Sequence, residues 1–168
     1  MITANRRRWS RFLALPLLAL LLVSSTIATH AFAVDLIEAA RNQDSEAVQS
    51  LLADGSNPNA QQADGATALH WAVYGENSDM AASLIEAGAD VNAVNRLGAS
   101  ALYIAAKSGQ GDLIEQLLTA GADPNLALDM NETPIMTASR SGTVKGVRRL
   151  IDAGADVNAR ESSRNQTA

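Results

Sequence analysis

Beyond residue 33, the 168-residue sequence holds few side chains that do chemistry at neutral pH. His70 is the one histidine in that stretch, and the chain has no cysteine. A histidine or thiolate metal centre needs several such ligands, so composition argues against that class and removes disulfides and lipidated cysteines outright. Gly98-Ala99-Ser100-Ala101-Leu102 imitates a nucleophile elbow for three residues, but Leu102 stands where the closing glycine belongs. Ser100 also aligns with Thr67 and Thr133, which makes it a helix N-cap rather than a nucleophile. No second base or metal partner accompanies His70, so it has no catalytic constellation to join. Asp54, Asp90, Asp123 and Asp156 recur with a period or lie in turns, as loop hydrogen-bonders do. The chemistry predicts no enzyme, no metal and no cofactor.

The elements that carry these residues repeat. Gly55-Ser56-Asn57-Pro58-Asn59-Ala60 is echoed by Gly88-Ala89-Asp90-Val91-Asn92-Ala93, Gly121-Ala122-Asp123-Pro124-Asn125-Leu126 and Gly154-Ala155-Asp156-Val157-Asn158-Ala159. The glycines lie 33 residues apart, as do Asn59, Asn92, Asn125 and Asn158, and Ala72, Ala105 and Ala138 keep the same step. A fixed period of this size marks stacked repeats. Within the second copy Thr67 opens a helix at Ala68, and a further helix runs from about Asp79 to Ala87 with Met80, Leu84 and Ile85 facing inward. Gly88 ends it as a residue free to adopt the left-handed conformation. In the fourth copy Pro134 falls at a first helical position, and Asn131 replaces Gly65 and Gly98 as a residue that tolerates αL. The first copy is incomplete: it has two apolar faces, Leu36, Ile37, Ala39, Ala40 and Val48, Leu51, Leu52, but no hairpin, as an N-terminal cap would.

Thr67-Ala68-Leu69-His70, Thr133-Pro134-Ile135-Met136 and the four Gly-x-Asp/Asn-x-Asn stops together resemble the ankyrin repeat, whose period is about 33. The resemblance implies an all-α solenoid of about four helix-turn-helix repeats with short β-hairpin loops. It covers residues 34–161, with repeats at about 34–61, 62–94, 95–127 and 128–160. Residues 162–168 are a tail or the start of a further, truncated repeat, since Thr167-Ala168 echoes Thr67-Ala68. Departures include Ala68 for proline, Tyr103 and Met136 for the histidine, and Gly75-Glu76 where the later copies have glycine at 109 and 142. By the same resemblance His70 serves hydrogen bonding between loops.

The N-terminus carries Arg6, Arg7, Arg8 and Arg11, an apolar run from Phe12 to Val23, and Ala31-Phe32-Ala33. This is the layout of a secretory signal peptide, residues 1–33, cleaved after Ala33. The chain is then periplasmic or secreted; the alternative is an uncleaved membrane anchor, against which the short apolar run and Pro16 speak. Cleavage removes four of the 13 basic and none of the 18 acidic residues, so nine remain against 18 and the net charge moves from −5 to −9. So acidic a chain is not built for nucleic acid, nor for a membrane once the signal is gone.

What remains is surface. The family binds proteins with its turn tips and the exposed face of its first helices, and no small-molecule ligand is expected. Carried onto this chain, the tips are Ala63, Asp64 and Ala66, then Arg96, Leu97 and Ala99, then Asp129, Met130 and Glu132. The helix positions are Trp71 and Tyr74, then Ile104, Lys107 and Ser108, then Thr137, Arg140 and Ser141. Asp64, Trp71, Tyr74, Arg96, Leu97, Lys107, Asp129, Met130 and Arg140 are the expected protein-binding residues; aromatic, methionine and arginine side chains are enriched at interfaces. The function implied is a non-catalytic protein-interaction module acting after export; the alternative is the repeat segment of a longer chain with an enzymatic domain beyond Ala168. Six of the nine later basic residues (Arg140, Lys145, Arg148, Arg149, Arg160, Arg164) lie in the last copy and tail, either as a solvated helix face or as a patch for an acidic partner.

Overall fold

The computed structural model describes residues 35–162 and Thr167. The expected signal peptide, its cleavage site and most of the tail lie outside the described residues. Val34–Ala168 forms a compact unit of its own. It contains α1 (Leu36–Arg41), α2 (Ser45–Ala53), α3 (Ala68–Tyr74), α4 (Ser78–Glu86), α5 (Ala101–Lys107), α6 (Gly111–Thr119), α7 (Pro134–Ser141) and α8 (Val144–Asp152), with one 3-10 turn at Asp129–Asn131. Helices of six to nine residues do not persist alone in water, so stacking must hold them. The odd-numbered helices pack in one row, α1 on α3 on α5 on α7. The even-numbered ones pack in a second, α2 on α4 on α6 on α8. The fold is the expected all-α solenoid, and its hairpin loops are tight: Gln62 N–H donates to Ala66 O at 2.8 Å, Asn95 to Ala99 at 3.1 Å and Leu128 to Glu132 at 2.9 Å. Among the described residues the only ladder-type pairing is the antiparallel bridge Val94–Ser100.

The sequence period sets the core. Ala39, Ala72, Ala105 and Ala138 are wholly buried, and their small side chains let successive first helices approach closely. Leu84, Leu117 and Leu150, one per period, are also fully buried on the second helices. Helix starts are capped by Asp35, Asp44, Asn77, Ser100 and Thr143, each accepting from an amide in its first turn. Ser100 Oγ accepts from Tyr103 N at 3.2 Å, so its hydroxyl is committed to the cap.

The Gly75-Glu76 departure resolves into two jobs. The residue that turns left between paired helices is Gln43, Glu76, Gly109 or Gly142, with φ between 58° and 75°, so Glu76 takes the strained conformation itself. Gly75 makes room instead. The Gln43 side chain lies where a Cβ at 75 would be, and its Nε2 donates to both Ala40 O and Trp71 O at 2.9 Å.

On the opposite edge the asparagines of the stop signal link repeats. Asn59 Nδ2 donates to Gly88 O at 3.0 Å while its Oδ1 accepts from Asp90 N at 2.7 Å. Asn92 does the same to Gly121 and Asp123, and Asn125 to Gly154 and Asp156. Asp90, Asp123 and Asp156 each accept from the amide two residues on, which shapes the loop. In the first copy Asn57, not the expected Asp54, fills that role, accepting from Asn59 N at 3.0 Å.

Candidate functional site

In each repeat the hairpin follows the asparagine loop and opens the next first helix, and backbone bonds join successive tips. Arg96 N donates to Asp64 O at 2.8 Å, and Ser162 N to Met130 O at the same distance two periods later. A Cβ at Gly98 would lie 3.6 Å from Leu128 Cα and Asp129 N, so the second tip abuts the third. Each tip is shaped by its own polar residue. Asp64 Oδ1 accepts from Ala66 N at 3.0 Å, and Asn95 Oδ1 accepts from Leu97 N and Ala99 N at 2.9 and 3.1 Å. In the third tip Met130 and Asn131 both take positive φ, 65° and 62°; Asn131 stands where Gly65 and Gly98 do, whereas nothing in the sequence marks Met130 for it.

Two large apolar side chains of the tips point to solvent, Leu97 and Met130 at 73 and 64 % exposed, and a third, Tyr74 at 69 %, closes the far end of α3. Asp64, Arg96, Lys107 and Asp129 are exposed around them. Trp71 is different. It is half-buried against the core, its indole N–H donates to Gln62 Oε1 at 3.2 Å, and its ring meets Tyr74 edge-on at 5.9 Å. Arg41 lies 5.6 Å above the Trp71 ring. Arg41 was missed because the first copy lacks a hairpin. Counting back one period from Tyr74 finds it, and Arg41, Tyr74, Lys107 and Arg140 then form one column along the first helices.

Several expected contact residues are turned inward. Ala66 and Ala99 are buried beneath the tips, and Thr137 is buried with its hydroxyl donating to Glu132 Oε1 at 2.8 Å. Arg140 is paired with that same Glu132 and lies 3.8 Å from Glu161, so the guanidinium clamps the third tip to the segment that follows Ala159. Asn131 Nδ2 donates to Arg160 O at 2.8 Å and completes the clamp.

His70 is structural. Its Nε2 is 3.0 Å from Ala99 O, a pure acceptor, and its Nδ1 is 3.1 Å from Thr67 N, a pure donor. Nε2 therefore carries the proton and Nδ1 accepts. Burial lowers the imidazole pKa from its ordinary 6.5, opposed by the bond to Ala99 O and the charge of Asp64. The ring ties the second copy's first helix to the third copy's hairpin. Tyr103 and Met136, at the same position, offer no imidazole for such a link. Among the described residues no group of three or more His, Cys, Asp or Glu side chains is placed to hold a metal ion.

Residues 36–128 match a family model described as ankyrin repeats (3 copies), and residues 130–162 match one described as ankyrin repeat. No curated protein matches the chain.

Proposed function

The chain belongs to the ankyrin repeat family, whose repeats are generally protein–protein interaction modules, and from that premise we propose that it is a non-catalytic scaffold that binds a protein partner after export. The observation that carries this reading is the exposure of Leu97 and Met130 on hairpin tips that hydrogen bonds shape and join, with Tyr74 exposed at the end of α3. A rigid platform with isolated apolar anchors loses little conformational entropy on binding, which favours affinity. Asp64, Arg96, Lys107 and Asp129 form the polar rim. Trp71 supports Tyr74 from below, and Arg140 holds the third tip in place. Export is supported by Arg6, Arg7, Arg8 and Arg11, the apolar run and Ala31-Phe32-Ala33. The mature chain then starts at Val34 in the periplasm or outside the cell.

The test is site-specific photocrosslinking in the producing cell, with the photoreactive residue at Leu97 or Met130 and, as control, at the exposed Asp79 on α4. A discrete crosslinked protein from the tip positions and none from Asp79 is the expected result. Equal labelling from the tips and from Asp79 overturns the assignment. N-terminal sequencing of the isolated chain reads the export claim separately: Val34 is expected, and an intact Met1 contradicts it.

A further inference from the structure

The hairpin tips carry a pattern of charge as well as exposed apolar side chains. Leu97 and Met130 stand at the same place on successive tips, 33 residues apart, and on the first tip that place belongs to Asp64. Arg96 and Asp129 stand just before Leu97 and Met130, so the tips read acidic, basic, acidic in order, and all three charged side chains are exposed. Neighbouring tips thus bear opposite charges, yet none of the three makes an ion pair among the described residues. Their backbones are nevertheless in contact. Arg96 N donates to Asp64 O at 2.8 Å, a Cβ at Gly65 would lie 3.2 Å from Asn95 Cα, and one at Gly98 would lie 3.6 Å from Leu128 Cα. The tips therefore step at the pitch of the stack, with their charges open to a partner.

That pitch decides which backbone fits. Packed helices lie about 8–10 Å apart, so successive tips are separated by about 10 Å. In an extended segment this distance is about three residues. An odd step puts successive side chains on opposite faces, so a strand that touches Leu97 turns its next contact away from Met130. In an α-helix the same distance is about seven residues, close to two full turns, and residues that far apart share a face. A helix laid along the tips meets each of them with one stripe.

We propose that the tips seat an amphipathic α-helix of the protein partner. Its stripe, in steps of seven residues, carries a basic residue over Asp64 and apolar residues over Leu97 and Met130. An acidic residue beside the first apolar one meets Arg96, and a basic residue beside the second meets Asp129. The inference rests on the reading of the tips as a protein-binding surface and adds the class of segment they bind. Two apolar contacts hold any amphipathic helix weakly, so the charges discriminate: a helix of exchanged signs meets a like charge at all three tips.

Fluorescence anisotropy on the purified full chain, with labelled synthetic peptides, tests this. The probe is a helical peptide of three heptads with lysine, leucine and leucine on its stripe. Glutamates stand on both sides of the first leucine and lysines on both sides of the second. One control exchanges every lysine and glutamate; another places proline at the centre, which breaks the helix. The probe is expected to bind about tenfold or more tighter than either control. Arg96→Glu should weaken its binding by about tenfold or more, and changing the flanking glutamates of the probe to lysine should restore it. Leu97→Asp weakens binding of either peptide. Far-UV circular dichroism confirms that each variant is folded. Equal binding of the sign-exchanged control, equal binding of the proline control, indifference to Arg96→Glu, or no binding of the probe at all overturns the proposal. Where the probe fails and Leu97 or Met130 still crosslinks a protein in the cell, the helix falls and the protein-binding reading stands.

Discussion

The two edges of this molecule are built from loops of similar size and behave in opposite ways. On the asparagine edge the same side chain makes the same pair of bonds at three successive junctions, at 2.7–2.8 Å to the amide and 3.0–3.2 Å to the carbonyl. On the hairpin edge the backbone links recur, but the side chains above them differ at every step: Asp64, then Arg96 and Leu97, then Asp129 and Met130. Repetition is what a stack needs to hold its pitch, because each repeat contacts only its neighbours. Variation is what a recognition surface needs, because a partner reads differences. One edge fixes the spacing; the other uses it.

That division predicts a ranking of substitutions. The largest effect lies between the edges. Leu117 is fully buried on α6, and Leu117→Ala removes packing that helices this short cannot replace. A loss of about 2–5 kcal/mol by urea unfolding is expected; a loss below about 1 kcal/mol would show that the core is not continuous through the third repeat. Next is the asparagine edge. Asn92→Ala leaves Asp123 N and Gly121 O without their protein partner, and because both are near solvent the cost should be about 1–2 kcal/mol. An unchanged midpoint would mean that water replaces the link without cost.

His70 gives a smaller effect with a pH signature. Its pKa is lower in the folded chain than its ordinary 6.5, so the unfolded chain binds more protons between the two values. Stability from the neutral ring is fully present above pH 6.5 and is lost as pH falls through the folded value. Melting temperature should therefore drop on acidification from neutral pH, and His70→Met, which copies Met136, should flatten that slope. A slope that survives the substitution would assign it to the carboxylates.

Much of this architecture is legible in the sequence, because the period of 33 acts on both the core and the loops. Leu84, Leu117, Leu150 and the three linking asparagines are found by counting alone. Legibility fails where a residue's partner lies outside its own copy. Arg140 reads as an exposed guanidinium, yet Glu132 and Glu161 hold it. Trp71 reads as a surface anchor, yet Gln62, Arg41 and the core surround it, so Trp71→Ala should cost stability and is a poor probe of binding. Gly75 reads as a misplaced turn glycine, whereas it clears space for the Gln43 amide one repeat earlier. Periodicity gives each residue's address but not the side chain that crosses from the next copy.

The smallest stability effects belong to the hairpin tips, and they carry the central claim. Leu97→Ala and Met130→Ala remove exposed side chains and should change unfolding free energy by about 0.5 kcal/mol or less. The decisive measurement pairs each with Asn125→Ala, recording the melting midpoint and the affinity for the crosslinked partner at a temperature where all are folded. The division of labour predicts that Leu97→Ala and Met130→Ala weaken binding by about tenfold or more with an unmoved midpoint, while Asn125→Ala lowers the midpoint and leaves binding intact. Tip variants that bind normally while Asn125→Ala abolishes capture would contradict it.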